Sequence, residues 1–168
     1  MSILDTIFNK LAIECSKREY CVSQLEDKLR KVIKKNEEFI IDEKDVGSII
    51  ERLKSENYLS NKRFAEAYVN DKLLFNGWGR HKIIFGLRYL KIEEEYINEA
   101  MNEKYREKSA SIVEKLMRAK YKSLRNIDAE LAKQKTIKYM LNKGFDYEEV
   151  YSKLYIFALI FLYITLYN

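Results

Sequence analysis

The chain of 168 residues is long enough for one ordinary domain, or for several small helical units that share a core. It has no proline and only five glycines, and its hydrophobic (47%) and charged (34%) fractions exclude disordered and fibrous chains and favour long helices. The formal charge of +5 is concentrated in residues 104–143, where twelve basic and four acidic side chains give a net charge of +8.

The N-terminal stretch 1–15 alternates apolar and polar residues and contains acidic residues, which indicates an amphipathic helix rather than a signal peptide. Cys15 and Cys21 lack the paired spacing of a zinc site, and the only histidine, His81, lies far along the chain. We therefore expect two reduced thiols, no metal site and no cofactor, in a cytoplasmic protein.

Three predicted helix starts share one local pattern: an apolar residue, an acidic N-cap residue, and a second apolar residue five positions after the first. They are Ile41-Asp42…Val46, Ile92-Glu93…Ile97 and Phe145-Asp146…Val150. This is the spacing of a hydrophobic staple, in which the residue before the cap packs on the fourth helical residue. The starts lie 51 and 53 residues apart, and such a period indicates stacked units that bury their apolar faces against one another.

Further helix signals lie around these starts. Ser23 and Glu26 resemble a capping box, and Leu59-Ser60…Phe64 is a fourth staple that opens a helix over residues 61–75. A second long helix is expected over residues 102–119. The apolar residues at helical spacing on either side of the staples are expected in the core: Leu25, Leu29, Ile49, Ile50, Leu53, Ile83, Leu87, Ala100, Met101, Ile137, Met140, Leu141 and Leu154.

These signals predict an all-α fold of three tandem three-helix repeats that form an elongated, curved helical array. The predicted segments are an N-terminal helix with the first repeat (1–60), a second repeat (61–103), a third, basic repeat (104–154) and an apolar tail (155–168). Residues 154–168 carry no charge but are too few to span a membrane. Burial, self-association and shallow membrane contact are the alternatives for this tail, and we favour burial in the core or in a dimer.

The second repeat contains a glycine pair around the only tryptophan, Trp78. A dinucleotide fingerprint needs a third glycine where this chain has Lys82, and no Walker sequence is present. We expect a structural joint, in which Gly77 ends one helix in a left-handed conformation, Gly79 starts the next, and Trp78 packs between units. The following Arg80, His81 and Lys82 then lie at a helix N-terminus, where a phosphate or carboxylate can bind.

The segment RFAEAYVNDKLLFNGWGRHKIIFGLRYLKIEEEYINEAM (63–101) resembles the central repeat of the RecX family, bacterial regulators of the RecA recombinase. Residues 16–29, 51–68 and 138–154 resemble the family's first repeat, its link to the second, and its third repeat. The resemblance implies a non-enzymatic protein of three-helix repeats that binds in the helical groove of the RecA filament on single-stranded DNA. It also implies that the protein blocks filament extension, and so limits ATP hydrolysis, strand exchange and repressor cleavage.

A protein that binds such a groove needs a long surface with basic and aromatic side chains. The basic segment provides a dense cluster that we expect to contact the partner or DNA phosphate: Arg118, Lys120, Lys122 and Arg125, extended by Lys133, Lys135 and Lys138. Second candidates for such contacts are Arg80, Lys82 and Arg88. For each single residue, plain solvation is the alternative.

The expected partner is therefore the RecA filament, with direct DNA contact and self-association through the tail as further expectations and no small-molecule substrate. The alternative function is a stand-alone nucleic-acid-binding module with helix-turn-helix units. No helix, however, has the face rich in Arg, Asn and Gln that base readout uses.

Overall fold

The structure, a computed structural model, describes residues 2–35 and 41–154. Within these ranges the chain forms helices and no β-strand, so the predicted all-α fold is confirmed. A π-helical turn, Met101–Tyr105, joins the sixth helix to the seventh. The helices are α1 (Ile3–Cys15), α2 (Val22–Lys35), α3 (Glu43–Ser55), α4 (Asn61–Leu74), α5 (Arg80–Tyr89), α6 (Glu94–Ala100), α7 (Arg106–Lys122), α8 (Ala129–Asn142) and α9 (147–154).

The four predicted staples lie at helix starts. In each of them both apolar residues are buried, and the N–H of the second donates to the carbonyl of the cap residue at 3.0–3.1 Å: Val46 to Asp42, Phe64 to Ser60, Ile97 to Glu93 and Val150 to Asp146. At Asp42 the structure also has a capping box, with each carboxylate of Asp42 and Asp45 accepting from the backbone N–H of the other residue. Local sequence thus decides where these helices begin.

Three helix ends precede these starts directly and share one geometry. Asn57, Lys91 and Gly144 have positive φ angles of 62°, 58° and 90°. The N–H of the next residue donates to the carbonyl five positions back, at 2.8, 3.1 and 3.3 Å, which is the long bond of a Schellman motif. Each helix therefore ends, and the next one is capped, within a few residues.

The chain divides into two compact units: unit 1 is Met1–Ala67 with Leu87–Ile97, and unit 2 is Tyr68–Gly86 with Asn98–Asn168. The division into segments 1–60, 61–103, 104–154 and 155–168 stays a prediction. In unit 1, α1 and α2 pack on α3. Their apolar faces form one core: Phe8, Leu11, Ala12, Cys15, Leu25, Leu29, Val46, Ile49, Ile50, Leu53 and Leu59.

The predicted capping box at Ser23 and Glu26 is wrong. Helix α2 already begins at Val22, and the carbonyl of Cys21 accepts the first helical bond, from the N–H of Leu25 at 3.3 Å. The Ser23 hydroxyl lies inside the helix and donates to the carbonyl of Leu90 at 2.6 Å. The Ser23 side chain therefore binds a residue 67 positions away instead of acting as the N-cap that the local pattern predicted.

In unit 2, α7 packs on α8 and on the π-helical turn. Helix α8 buries Ala132, Thr136 and Met140, one residue per turn, and the Thr136 hydroxyl is satisfied by the carbonyl of Ala132 at 2.8 Å. Leu141, expected in the core, is 38% exposed. That prediction is wrong because a residue next to Met140 points about 100° away from it around the helix.

The tail 155–168 lies outside the described residues. Burial, self-association and membrane contact therefore stay the alternatives for this tail. Of the helices in ranges 2–35 and 41–154, none has the length and apolar character needed to span a membrane.

Candidate partner-binding surface

The glycine joint connects α4 to α5. Gly77 has a φ of +60°, and the N–H of Trp78 donates to the carbonyl of Lys72 at 2.9 Å. The Trp78 ring is half-buried, with the ammonium groups of Lys72 and Lys82 lying 4.9 and 5.9 Å from its centroid. The tryptophan therefore has cationic neighbours on a partly exposed ring rather than a place deep in a core.

The backbone donors at the start of α5 are bonded within the protein. The N–H of Gly79 donates to the carbonyl of Lys143 at 2.8 Å, and the N–H of His81 donates to that of Gly144 at 2.9 Å. The N–H of Arg80 donates to the phenol oxygen of Tyr105 at 3.1 Å. These three donors are engaged by protein acceptors, so a phosphate contact here would have to come from the side chains of Arg80 and Lys82.

A partly buried chain of hydrogen bonds supports this joint. The Tyr105 hydroxyl, which accepts from Arg80, also donates to Glu149 Oε2 at 3.2 Å. Burial raises the pKa of Tyr105. Burial also raises the pKa of Glu149 above its ordinary 4.5, and the neighbouring charge of Asp146 adds to this, while the hydrogen bond from Tyr105 opposes it. The arrangement is structural, because it ties α5, the π-helical turn and α9 together.

Replacing Tyr105 by phenylalanine tests this chain of bonds. We expect Tyr105→Phe to lower the free energy of unfolding by about 1–3 kcal/mol, because it leaves the Arg80 N–H without its acceptor and removes one of the hydrogen bonds to the half-buried Glu149 carboxylate. Urea unfolding followed by circular dichroism measures the change. Tyr89→Phe is the control, since Tyr89 is 79% exposed and should change stability by less than about 0.5 kcal/mol. Equal stabilities of the two variants would contradict the assignment.

The raised pKa of Glu149 predicts a pH-dependent effect of Glu149→Gln. The native state holds the proton to a higher pH than the unfolded state, so stability falls as pH rises from 4.5 through the folded pKa. Glutamine keeps an acceptor for Tyr105 and carries no charge. We expect the variant to be more stable than wild type at pH 7 and to match it below pH 4.5, as measured by urea midpoints between pH 4 and 7.5.

The neighbouring Glu148 supplies the control for this pH dependence. Glu148 is exposed in the first turn of α9, where a negative charge interacts favourably with the helix dipole. Glu148→Gln should therefore lower stability slightly at pH 7, by about 0.3–1 kcal/mol. A destabilising effect of the same sign from Glu149→Gln would show that burial does not dominate at that carboxylate.

The basic cluster of α7 and the turn after it lies in unit 2, and its members have different surroundings. Arg118 pairs with Glu114 one helical turn away, at 2.7 Å. The ammonium group of Lys120 lies 5.4 Å from the centroid of the Tyr139 ring. Lys122 and Arg125 are exposed at the end of α7 and in the following turn. The four cations are close in sequence, but two of them already have neighbours on α7 or α8.

The remaining predicted contacts are spread more widely. Lys133 lies 3.7 Å from Glu130 on α8, and Lys135 and Lys138 are exposed farther along that helix. Arg88 belongs to unit 1, where its guanidinium binds the carboxylate of Glu94 at 2.6 and 3.0 Å. The predicted residues of α7 and α8 therefore belong to one unit, and Arg88 belongs to the other.

Between α7 and α8 the structure has a groove of 520 Å³, here called the α7–α8 groove. A turn over residues 123–128 separates the two helices, and Asp128 ends it by accepting from the N–H groups of Glu130 and Leu131 at 2.9 and 3.1 Å. Among the described residues, three cations of the basic cluster and five largely apolar side chains line the groove: Arg118, Lys122 and Arg125, with Tyr121, Leu124, Ile127, Ala129 and Ala132.

The apolar side of this groove was not predicted from the sequence. Leu124 and Ile127 are half-buried, and the N–H of Ile127 donates to the carbonyl of Leu124 at 3.2 Å. The available signal was an apolar pair three residues apart inside a basic run. Of the seven basic residues predicted as contacts on α7, α8 and the turn between them, three line the groove. The other four do not: Lys120, Lys133, Lys135 and Lys138.

The described residues contain no group of three or more His, Cys, Asp or Glu side chains arranged to hold a metal ion. The carboxylates near the joint, Asp146 and Glu149, are engaged by His81 and Tyr105. The candidate surface is therefore defined by cations and apolar side chains.

Comparison with known proteins agrees with this architecture. The family model "RecX, second three-helix domain" matches residues 60–101, which contain the glycine joint. The Regulatory protein RecX of Haemophilus influenzae (strain PittEE) is 29% identical over 143 residues, 84% of this chain and 88% of the relative. The Regulatory protein RecX of Clostridium tetani (strain Massachusetts / E88) is 30% identical over 115 residues, which are 67% of this chain and 52% of the relative.

A solved structure shows the same fold. The crystal structure of RecX from Lactobacillus salivarius superposes with a TM-score of 0.77 over 93% of this chain and 97% of that chain, at 19% sequence identity. The similarity is to a helical-repeat protein, as the staple spacing predicted.

Proposed function

Because the chain belongs to the RecX family of regulatory proteins, we propose that it binds a RecA filament on single-stranded DNA and inhibits extension of that filament. Blocked extension then limits ATP hydrolysis, strand exchange and repressor cleavage. The observation that carries the proposal is the family match at residues 60–101, together with relatives similar over most of the chain. The proposal assigns the protein a contact surface in the cytoplasm and no chemical step of its own.

The charge distribution supports this function. Residues 104–143 carry a net charge of +8, and the partner in this proposal is a protein filament wrapped around a polyanion. Complementary charge speeds encounter and fixes the orientation in which two surfaces dock. The basic side chains of α7, the following turn and α8 are accordingly the proposed contacts, with Arg80, Lys82 and Arg88 second.

Recombinase ATP hydrolysis on single-stranded DNA tests the proposal directly. We expect inhibition when this protein is present well below one copy per recombinase subunit, because one bound copy can stop growth of a whole filament. Inhibition that requires equimolar protein would indicate sequestration of free subunits. No effect at any ratio would contradict the proposed function.

A stand-alone nucleic-acid-binding module is the second candidate, and the same positive segment favours it. The dependence of binding on salt separates the two functions. A module driven by phosphate contacts should bind naked single-stranded DNA with a log–log salt slope of about −0.7 per neutralised phosphate. A filament regulator should instead bind tightly only when the recombinase coats the DNA.

A further inference from the structure

We propose that the α7–α8 groove is a docking site for an acidic, amphipathic segment of a protein partner. This inference adds to the proposed function the chemistry of one contact surface. It rests on the proposed function only for the identity of the protein that supplies the segment. The chemistry of the segment follows from the groove: its shape, the apolar side chains on its floor, and the charges at its rim.

The floor of the groove can bury apolar side chains. Leu124, Ile127 and Ala129 contribute aliphatic surface beside the buried Ala132, and the volume of 520 Å³ is within the range of about 300–1,000 Å³ that is typical of ligand sites. Ala129 and Ala132 are small residues at the start of α8, so their side of the groove leaves space for the larger side chains of a partner. A partner's leucine, isoleucine or methionine side chains would gain free energy by leaving water here.

The rim of the groove is positive. Among the described residues that line it, three carry positive charge and none carries a carboxylate: Arg118, Lys122 and Arg125. Arg118 is paired with Glu114 on α7 at 2.7 Å, so the exposed Lys122 and Arg125 carry most of the positive charge of the rim. The nearest acidic residues on α8 are engaged locally, since Asp128 caps the helix and Glu130 lies 3.7 Å from Lys133. Acidic side chains beside apolar anchors would therefore meet complementary charge, which favours the correct partner and its orientation.

An amphipathic segment fits these features better than single-stranded nucleic acid. Non-specific binding of single strands relies on aromatic faces that stack on successive bases. Here Tyr121 is the one aromatic residue among the lining residues that the structure describes, and it is half-buried. A helix that places an apolar stripe in a hydrophobic groove, with charges at the edges, is a recurring mode of peptide recognition that matches an aliphatic floor and a cationic rim.

A peptide pair provides a test that does not involve the recombinase. One probe is a fluorescein-labelled, 16-residue helical peptide with leucines at positions i, i+3, i+4 and i+7 and glutamates at the flanking positions. The second probe has lysine in place of each glutamate. With the full chain, we expect fluorescence anisotropy to show at least about tenfold tighter binding of the acidic peptide. Equal affinities, or no binding of the acidic peptide, would overturn the inference.

Two matched substitutions localise the binding. Ala129 and Ala110 are both exposed helical alanines, but only Ala129 lines the groove. Ala129→Trp should fill the groove and weaken binding of the acidic peptide at least about tenfold, whereas Ala110→Trp should leave it unchanged. If Ala129→Trp fails to fold, the double substitution of Lys122 and Arg125 by glutamate serves instead, because both side chains are exposed. An effect equal to that of Ala110→Trp would exclude the groove.

Filament binding separates this inference from the proposed function. Ala129→Trp should weaken binding to the RecA-coated strand and leave binding to the naked strand unchanged. Weaker binding to the naked strand as well would assign the groove to nucleic acid and overturn the inference. If the wild type binds the acidic peptide but does not inhibit the recombinase, the proposed function fails while the docking site stands.

Discussion

Gly79→Ala is expected to lower the free energy of unfolding by about 3–5 kcal/mol, through overpacking and the loss of hydrogen bonds at the joint. A Cβ at Gly79 would lie 2.2 Å from the nitrogen of Phe145 and 2.3 Å from the carbonyl carbon of Gly144. Both are backbone atoms, so no side chain can rotate away. The backbone would have to separate, which would break the bonds from Gly79 to Lys143 and from His81 to Gly144.

Thermal unfolding by calorimetry measures this effect, with an expected fall in Tm of roughly 6–20 °C for a chain of this length. Gly47→Ala is the matched control, because a Cβ at Gly47 meets no atom within 4 Å and the residue lies exposed inside α3. That substitution should raise stability by about 0.5–1 kcal/mol, since alanine favours the helix. Similar stabilities of the two variants would contradict the close approach at Gly79.

Reversing the charge of Arg118, Lys120, Lys122 and Arg125 together to glutamate is expected to weaken filament binding by at least about 100-fold. Placing like charges against an acidic surface costs several kcal/mol, and the attraction that guides encounter is lost as well. The protein should stay folded, because the four side chains lie on the surface or at its edge. The lost Arg118–Glu114 pair should cost no more than about 0.5 kcal/mol.

The control for this experiment keeps the same change in net charge and moves it to unit 1. Lys10, Lys17, Lys31 and Lys44 are exposed there, and their replacement by glutamate should leave filament binding within about threefold of wild type after allowance for weaker long-range attraction. Binding by surface plasmon resonance, with circular dichroism to verify folding, provides the comparison. Unchanged binding of the folded α7 variant would remove the basic cluster from the contact surface.

The four residues of this cluster differ in whether they line the α7–α8 groove. Arg118, Lys122 and Arg125 line the groove, whereas Lys120 lies beside Tyr139 and not in the lining. Sequence proximity placed the four together, because one run of α7 contains most of them. The angle at which α8 packs on α7, and the turn between the two helices, decide which of them share a recess with apolar side chains.

The same distinction separates the correct and the wrong predictions of helix structure. The starts at Asp42, Ser60, Glu93 and Asp146 depend on contacts between residues at most five positions apart. A short stretch of sequence therefore includes all the residues that make those contacts. Ser23 also had the residues of a cap, yet its hydroxyl binds the carbonyl of Leu90. A favourable local pattern fails when a distant, partly buried carbonyl forms a hydrogen bond with the same side chain.

The sequence by itself determined an all-α fold, four of its helix starts and the position of its positive charge, because helix caps and amphipathic periodicity are short-range properties of the chain. Only the tertiary structure decided that Gly79 meets Gly144, that Tyr105 links Arg80 to Glu149, and that the basic cluster borders an apolar groove. These contacts join residues 25 to 65 positions apart or depend on how two helices pack. Periodicity shows which face of a helix is apolar, but not which residues of another helix it meets.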